Sequence, residues 1–112
     1  MKTGRPRKKK IVNGPPRADL FVPNGRPGKI EEVLLNVEEF ESIRLGDFLN
    51  MPQGEAATGM NISQQSFSRL LKRARNKVSD AIVNAKTIRI EGGDYLDKRS
   101  LGVLAKLKRR DI

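Results

Sequence analysis

The pattern of apolar and polar residues between positions 53 and 84 predicts two helices joined by a short turn. Ala56 and Met60 lie four residues apart, so they share one face of the first helix. Asn61 stands where the chain reverses, and Asn accepts the left-handed backbone of such a turn more readily than most non-glycine residues. Ser63 then supplies a side-chain oxygen that caps the second helix. The apolar face of that helix is formed by Phe67, Leu70, Leu71, Ala74, Val78 and Ala81.

This arrangement has the spacing of a DNA-binding helix-turn-helix. The polar face of the second helix carries suitable residue types, since Gln can pair with adenine and Arg with guanine in the major groove. The competing interpretation is the solvated face of an amphipathic helix pair in a small domain. We predict base contacts from Gln64, Gln65, Ser68 and Arg69. The predicted phosphate contacts come from Ser63, Lys72, Arg73, Arg75 and Lys77.

A further helix is predicted upstream, over about residues 37–49. Asn36 at its start and Glu39 three residues on match the capping-box pattern. The residues expected to face the core are Val37, Phe40, Ile43 and Phe48. The acidic residues of this region, which are Glu31, Glu32, Glu38, Glu39, Glu41 and Asp47, are expected on an outer face directed away from DNA. Arg44 lies three residues from two of these acids, Glu41 and Asp47, which predicts an ion pair within the helix.

Two segments have the pattern of short strands. Residues 86–91 alternate in polarity before a Gly-Gly pair, and residues 30–35 are predicted to form either a strand or a helical turn. The candidate partner for residues 86–91 is the segment Lys10–Val12. Residues 11–29 are rich in Pro and Gly and cannot form a long helix. We expect this segment to wrap the domain and to insert Phe21.

Both ends of the chain are basic, and we predict three parts: 1–29 (arm and wrapping segment), 30–93 (helix-turn-helix) and 94–112 (extension). Residues 1–10 contain no acid, so we expect an extended arm. Gly4-Arg5-Pro6 looks like the centre of an AT-hook, but a plain phosphate-binding tail is the favoured interpretation. The arm residues predicted to contact DNA are Arg5, Arg7, Lys8, Lys9 and Lys10. Residues 98–110 predict a basic amphipathic helix with the stripe Leu101, Leu104 and Leu107, which would support a homodimer or higher oligomer.

The net charge of +10 over 112 residues favours a polyanionic partner. The absence of Cys and His excludes disulfides, zinc ribbons, thiol nucleophiles and imidazole bases. No Gly-rich phosphate or dinucleotide motif is present, and the acids do not cluster like metal ligands, so we expect no cofactor, no metal and no enzyme. No apolar run approaches the ~20 residues that cross a bilayer, and no signal-peptide core follows the basic start. We therefore expect a cytoplasmic, nucleoid-associated protein without membrane contact.

Several short motifs occur together and in order between residues 5 and 93. They are Arg5-Pro6-Arg7-Lys8, Gly25-Arg26-Pro27, residues 39–47 (EFESIRLGD), Met60-Asn61-Ile62-Ser63, Phe67-Ser68-Arg69-Leu70-Leu71 and residues 88–93 (IRIEGG). In this combination the chain resembles the prokaryotic family of unknown function numbered 134, also called uncharacterised protein family 0251. The resemblance implies a DNA-binding protein whose helix-turn-helix is similar to the promoter-reading C-terminal region of bacterial sigma factors. Relatives often carry Cys in the segment where this chain has Lys9, Lys10 and Ile11. A metal or redox role proposed for those cysteines therefore does not apply to this chain.

Together these patterns predict a mostly α, tetrahelical helix-turn-helix domain with an extended basic N-terminal arm and a basic C-terminal tail helix. The predicted function is sequence-specific binding of double-stranded DNA in the regulation of transcription. The first alternative is a protein-interaction module that docks on RNA polymerase or another partner. The second is a non-specific architectural nucleic-acid-binding protein. An enzyme is the class that the sequence supports least.

Overall fold

The computed structural model describes residues 9–25 and 28–98 of the chain. Three short strands come first, β1 (Lys10–Val12), β2 (Leu20–Phe21) and β3 (Glu32–Leu35). They are followed by α1 (Val37–Ile43), a π-helical turn that continues it (Arg44–Phe48), α2 (Gln53–Gly59) and α3 (Gln64–Val83). Two strands end the described part, β4 (Thr87–Ile90) and β5 (Tyr95–Asp97).

The prediction of a mostly α, tetrahelical helix-turn-helix domain is wrong. In the described residues, three α-helices are combined with two β-sheets, so the fold mixes α and β structure. One sheet pairs β1 with β5 in parallel, and the other has the order β2-β4-β3. Strands of two to four residues are too short to produce a clear alternation, and their partners are distant in sequence. Sequence periodicity therefore revealed the helices and two strands of the larger sheet, but not β2, β5 or the order of the strands.

The two predicted strand segments do form strands, β3 and β4, but the predicted pairing is wrong. Residues 87–90 pair with β2 and β3, whereas Lys10–Val12 pairs with Tyr95–Asp97. Leu35 lies opposite Ile90 and both are buried, so this face of the sheet packs on the core beneath α3. Leu34 is exposed on the opposite face, as the alternation of side chains along a strand requires.

The core lies where α1, α2 and α3 meet the two sheets. Ala56 and Met60 of α2 are fully buried, which confirms the predicted face of the first helix. On α3 the predicted apolar face is also confirmed. Its buried residues are Phe67, Leu70, Leu71, Ala74 and Ala81, with Val78 half-buried against them. Burial of this stripe fixes α3 in place and leaves its opposite face exposed to solvent.

The helix predicted over about residues 37–49 is formed by α1 and the π-helical turn that continues it, but several of its side chains do not lie where they were predicted. Asn36 and Glu39 form the capping box, with Glu39 N donating to Asn36 Oδ1 at 2.8 Å and Asn36 N donating to Glu39 Oε1 at 3.0 Å. The expected acidic outer face is only half right, because Glu38, Glu39 and Glu41 are buried beneath neighbouring elements, whereas Glu31, Glu32 and Asp47 are exposed. The core positions predicted for Phe48 and Phe21 are also wrong, since their side chains are 76% and 52% exposed.

Some predictions fall outside the described residues. These include the arm residues Arg5, Arg7 and Lys8, and the stripe of Leu101, Leu104 and Leu107 with the tail helix that carries it. None of the helices between residues 9 and 98 is both long and apolar enough to span a bilayer.

Candidate nucleic-acid interface

The turn between α2 and α3 sets the direction in which α3 leaves the core. Asn61 has a φ of 61° and donates its N–H to Thr58 O at 3.0 Å, while Ile62 N donates to Ala57 O at 3.0 Å. These values confirm the predicted reversal at Asn61. The predicted cap is confirmed as well, because Ser66 N donates to Ser63 Oγ at 3.1 Å. The first turn of α3 is thereby ordered and exposed.

Four polar residues form a continuous stripe along the exposed side of α3, which we call the reading stripe. Gln65, Arg69, Lys72 and Asn76 are separated by four, three and four residues, so they lie one above another on one face. All four are exposed, and no hydrogen bond or ion pair joins their side chains to another residue in the described part of the chain. Sequence reasoning missed Asn76, although its helical spacing from Lys72 and Gln65 was visible.

Two further predicted base-reading residues lie beside the stripe. Ser68 is exposed on α3 without a hydrogen-bonding side-chain partner among the described residues. Gln64 is exposed at the start of α3 but leans towards α2, because a Cβ added to Gly54 would lie 3.4 Å from its Oε1. Gln65 is therefore the freer of the two glutamines.

One flank of the reading stripe carries an arginine held by a carboxylate. Arg75 donates to Asp47 through Nε at 3.0 Å and through Nη2 at 2.6 Å, which is a bidentate pair. These hydrogen bonds hold the pKa of the Asp47 carboxyl below its ordinary value and raise the pKa of Arg75. Asp47 thus pairs with α3, whereas Arg44 pairs with Glu41 at 2.7 Å, the first of its two predicted partners.

The other flank is held by a buried acid. Glu39 accepts a hydrogen bond from Lys77 Nζ at 2.7 Å and lies 3.7 Å from Arg73 Nε, and its side chain is only 2% exposed. Of the basic residues predicted to contact phosphate, Arg73, Arg75 and Lys77 therefore each have an acidic partner within this chain. Lys72 has none among the described residues.

The root of the basic arm is also anchored by acids. Lys10 Nζ lies 3.3 Å from Glu38 Oε2, and Lys9 Nζ lies 3.7 Å from Asp94 Oδ1. Glu38 in addition accepts a hydrogen bond from Asp94 N at 2.6 Å. Because Ile11 N donates to Met60 O at 3.1 Å, strand β1 lies against the turn that precedes α3. The structure thus places the root of the arm close to the turn between α2 and α3.

An apolar groove of about 750 Å³ lies away from the stripe, between the segment 13–21 and α1. Phe21, Phe40 and Phe48 contribute aromatic side chains to its lining. Within residues 9–25 and 28–98, no group of three or more acidic side chains is arranged to hold a metal ion. The chemistry offered by the described surface is therefore polar and cationic contact along α3 and apolar contact in the groove.

The Asp47–Arg75 pair should contribute to stability only above acidic pH. A carboxyl whose pKa is lower in the folded state stabilises the fold above its unfolded pKa of about 3.9, and this contribution disappears as the pH falls through the folded pKa. Because both side chains are more than a third exposed, we expect Asp47→Asn to lower the free energy of unfolding by at most about 1 kcal/mol at neutral pH. Urea unfolding of both proteins should show this difference shrinking below about pH 4, and a difference that is independent of pH would contradict it.

Comparisons with family models and with individual proteins identify the same family for this chain. A family model described as "Protein of unknown function DUF134" matches residues 1–98. A UPF0251 protein of Methanosarcina acetivorans is 50% identical over 99 residues, which cover 88% of this chain and 60% of that protein. A UPF0251 protein of Methanococcus maripaludis is 47% identical over 93 residues, covering 82% of this chain and 72% of the relative. These matches confirm the family indicated by the sequence motifs, and no solved structure matches the chain.

Proposed function

We propose that this chain, which belongs to the protein family of unknown function DUF134, binds double-stranded DNA in a sequence-specific manner and regulates transcription. The observation that carries the proposal is the reading stripe, an exposed row of Gln65, Arg69, Lys72 and Asn76 on a capped helix whose other face is core. Amide and guanidinium groups are the side chains that distinguish base pairs from the major groove. A major groove about 12 Å wide admits one α-helix presented in this way.

The roles within the stripe follow from the chemistry of each side chain. Gln65 is suited to a bidentate pair with adenine and Arg69 to a bidentate pair with guanine. Lys72 is suited to a phosphate, because its ammonium is a point charge on a flexible stem. Asn76, like Gln65, offers an amide that can pair with adenine. The turn and the cap at Ser63 hold the N-terminal end of α3 at the surface, in the way that a helix-turn-helix presents its second helix.

Selection of bound sequences from a random duplex pool tests this proposal. The full chain should enrich a defined motif after a few rounds, because base contacts discriminate by about 1–3 kcal/mol each. Strong binding without any enriched motif would contradict it and would support the second alternative, a non-specific architectural protein. A Gln65→Ala, Arg69→Ala double variant is the control, and it should bind duplex DNA with a weaker motif or none.

A second copy of the chain is part of the proposal, since one helix reads few base pairs and such proteins often read two half-sites. The apolar stripe that would join the copies, Leu101, Leu104 and Leu107, lies outside the described residues. A useful truncation must keep β5, which pairs with β1, and should therefore end at Lys98. Sedimentation should give a dimeric or larger mass for the full chain and a monomeric mass for the truncated chain. Equal monomer masses would contradict this prediction.

The alternative function, a module that docks on RNA polymerase or another protein, is favoured by the apolar groove. Phe48 is the most exposed aromatic residue of its lining, and surface aromatics are enriched at protein interfaces. A Phe48→Ser variant separates the two functions. It should keep full DNA preference if α3 is the reader, and it should lose RNA polymerase from a pull-down if the groove is the docking site.

A further inference from the structure

The Asp47 carboxylate binds the side chain of Arg75 at the edge of the exposed face of α3. Arg75 lies one turn beyond Leu71 on α3, at the border between the core and the exposed face. Its guanidinium donates two hydrogen bonds to the Asp47 carboxylate, at 3.0 and 2.6 Å. Carboxylate and phosphate are the two anions that this planar fork of donors matches in bidentate geometry. A phosphate and the Asp47 carboxylate would therefore compete for the same N–H groups.

From this competition we infer that Asp47 withholds Arg75 from the DNA backbone and so lowers the affinity of the chain for DNA of any sequence. The inference rests on the proposed function, because it assumes that α3 lies against DNA. In the complex with DNA, Asp47 limits the number of phosphate contacts, while Gln65 and Arg69 make the base contacts. Asp47 is thus a positioning residue that acts through Arg75.

The local fold brings the two residues together. Arg44–Phe48 is a π-helical turn, closed by the hydrogen bond from Leu49 N to Arg44 O at 2.9 Å. Gly46 in this turn packs closely on α3, since a Cβ at Gly46 would lie 3.0 Å from Leu71 Cδ2. Asp47 is next to Gly46 in the π-helical turn, and Arg75 lies one turn beyond Leu71 on α3. Close packing of Gly46 on Leu71 therefore brings Asp47 into contact with Arg75. Turns of this kind are rare and occur frequently at functional sites.

Acidic side chains pair with most of the cations of α3. Asp47 holds Arg75 on one flank of α3, and Glu39 holds Arg73 and Lys77 on the other. Among the described residues, Arg69 and Lys72 are therefore the cations of the first four turns of α3 that have no acidic partner. Each cation that neutralises a phosphate releases counterions, so the salt dependence of binding counts the cations engaged. The slope of the logarithm of the DNA-binding constant against the logarithm of the salt concentration therefore tests the role of Asp47. Its replacement changes this slope if Asp47 competes with phosphate, and leaves it unchanged if Asp47 only supports the fold.

The test measures this slope for five forms of the full chain, the original and four variants, on one duplex of arbitrary sequence. We expect Asp47→Asn to steepen the slope by about 0.9 for each chain bound to the duplex, so that the loss of affinity between 50 and 200 mM salt becomes about 3.5-fold larger per bound chain. Arg75→Gln alone should leave the slope of the original chain unchanged, because Arg75 is already engaged. The double variant Asp47→Asn, Arg75→Gln should return to the original slope. Glu55→Gln is the matched control, since it removes the same charge from an exposed acid without a partner among the described residues.

The outcomes separate this inference from the proposed function. If the original chain binds DNA but Asp47→Asn changes the slope no more than Glu55→Gln, Asp47 does not compete with phosphate and the inference is overturned. A slope that falls by about 0.9 per bound chain in Arg75→Gln alone would also overturn it, because Arg75 would already be on the backbone. Absence of DNA binding by the original chain would overturn the proposed function, and the inference with it. Melting curves of all variants establish that each remains folded.

Discussion

Replacement of Glu39 by Ala is expected to lower the free energy of unfolding by about 2–4 kcal/mol. The carboxylate is almost fully buried, accepts hydrogen bonds from Asn36 N and from Lys77 Nζ, and lies near Arg73. Its removal eliminates the capping box of α1 together with the link from α1 to α3. For a domain of this size the melting temperature should fall by roughly 10–30 °C.

The matched control for this prediction is Glu55→Ala. Glu55 is exposed in the first turn of α2, and no described residue forms an ion pair with it. Its replacement should cost no more than about 1 kcal/mol, mainly because its favourable interaction with the helix dipole is removed. Similar melting temperatures for the two variants would show that Glu39 does not join α1 to α3.

Replacement of Arg69 by Ala is expected to remove about 1–3 kcal/mol of discrimination at one or two base pairs of the preferred duplex. Gln65→Ala should have a similar effect at a neighbouring base pair. The salt slope should barely change for Gln65→Ala, because this side chain is neutral and releases no counterion. Fluorescence titrations against a set of duplexes with single base-pair changes would measure both quantities.

Two controls separate reading of sequence from general attraction to DNA. Arg17→Ala removes the same charge from an exposed residue outside α3 and should leave the base preference intact. Deletion of residues 1–8 should weaken binding to all duplexes and flatten the salt slope by about 0.9 for each phosphate that these residues neutralise in the full chain. If this deletion abolishes preference while the Gln65 and Arg69 variants retain it, α3 is not the reader. The Gly4-Arg5-Pro6 arm in the minor groove would then be the better account.

The elements that could be predicted from the sequence are those specified by nearby residues. The capping box of Asn36 and Glu39, the cap at Ser63 and the apolar stripe of α3 each depend on spacings of three or four residues. The pairing of β1 with β5 could not be predicted, because its partners are more than eighty residues apart and each strand has only three residues. The same distance explains why the mixed α and β architecture was missed.

The candidate site shows the same division between local and distant information. Helical spacing was sufficient to assign Gln65, Arg69 and Lys72 to the exposed face of α3. The acids that neutralise Arg75 and Lys77 lie 28 and 38 residues away in sequence, and only tertiary packing brings them to α3. Burial of Glu39 depends on that packing too. Charge counted along the helix therefore overstated the number of cations that are free to meet DNA.

The central claim, that α3 lies in the major groove, is tested most directly by cross-linking from single positions. The chain has no Cys, so one introduced thiol can carry a photoreactive group at a unique place. Ser68→Cys places that group on the exposed side of α3, and Leu34→Cys places it on the face of the sheet that points away from α3. We predict that Ser68→Cys cross-links to bases at one position of each half-site of the bound duplex, whereas Leu34→Cys gives little or no product. Cross-linking through Leu34→Cys and not through Ser68→Cys would contradict the account.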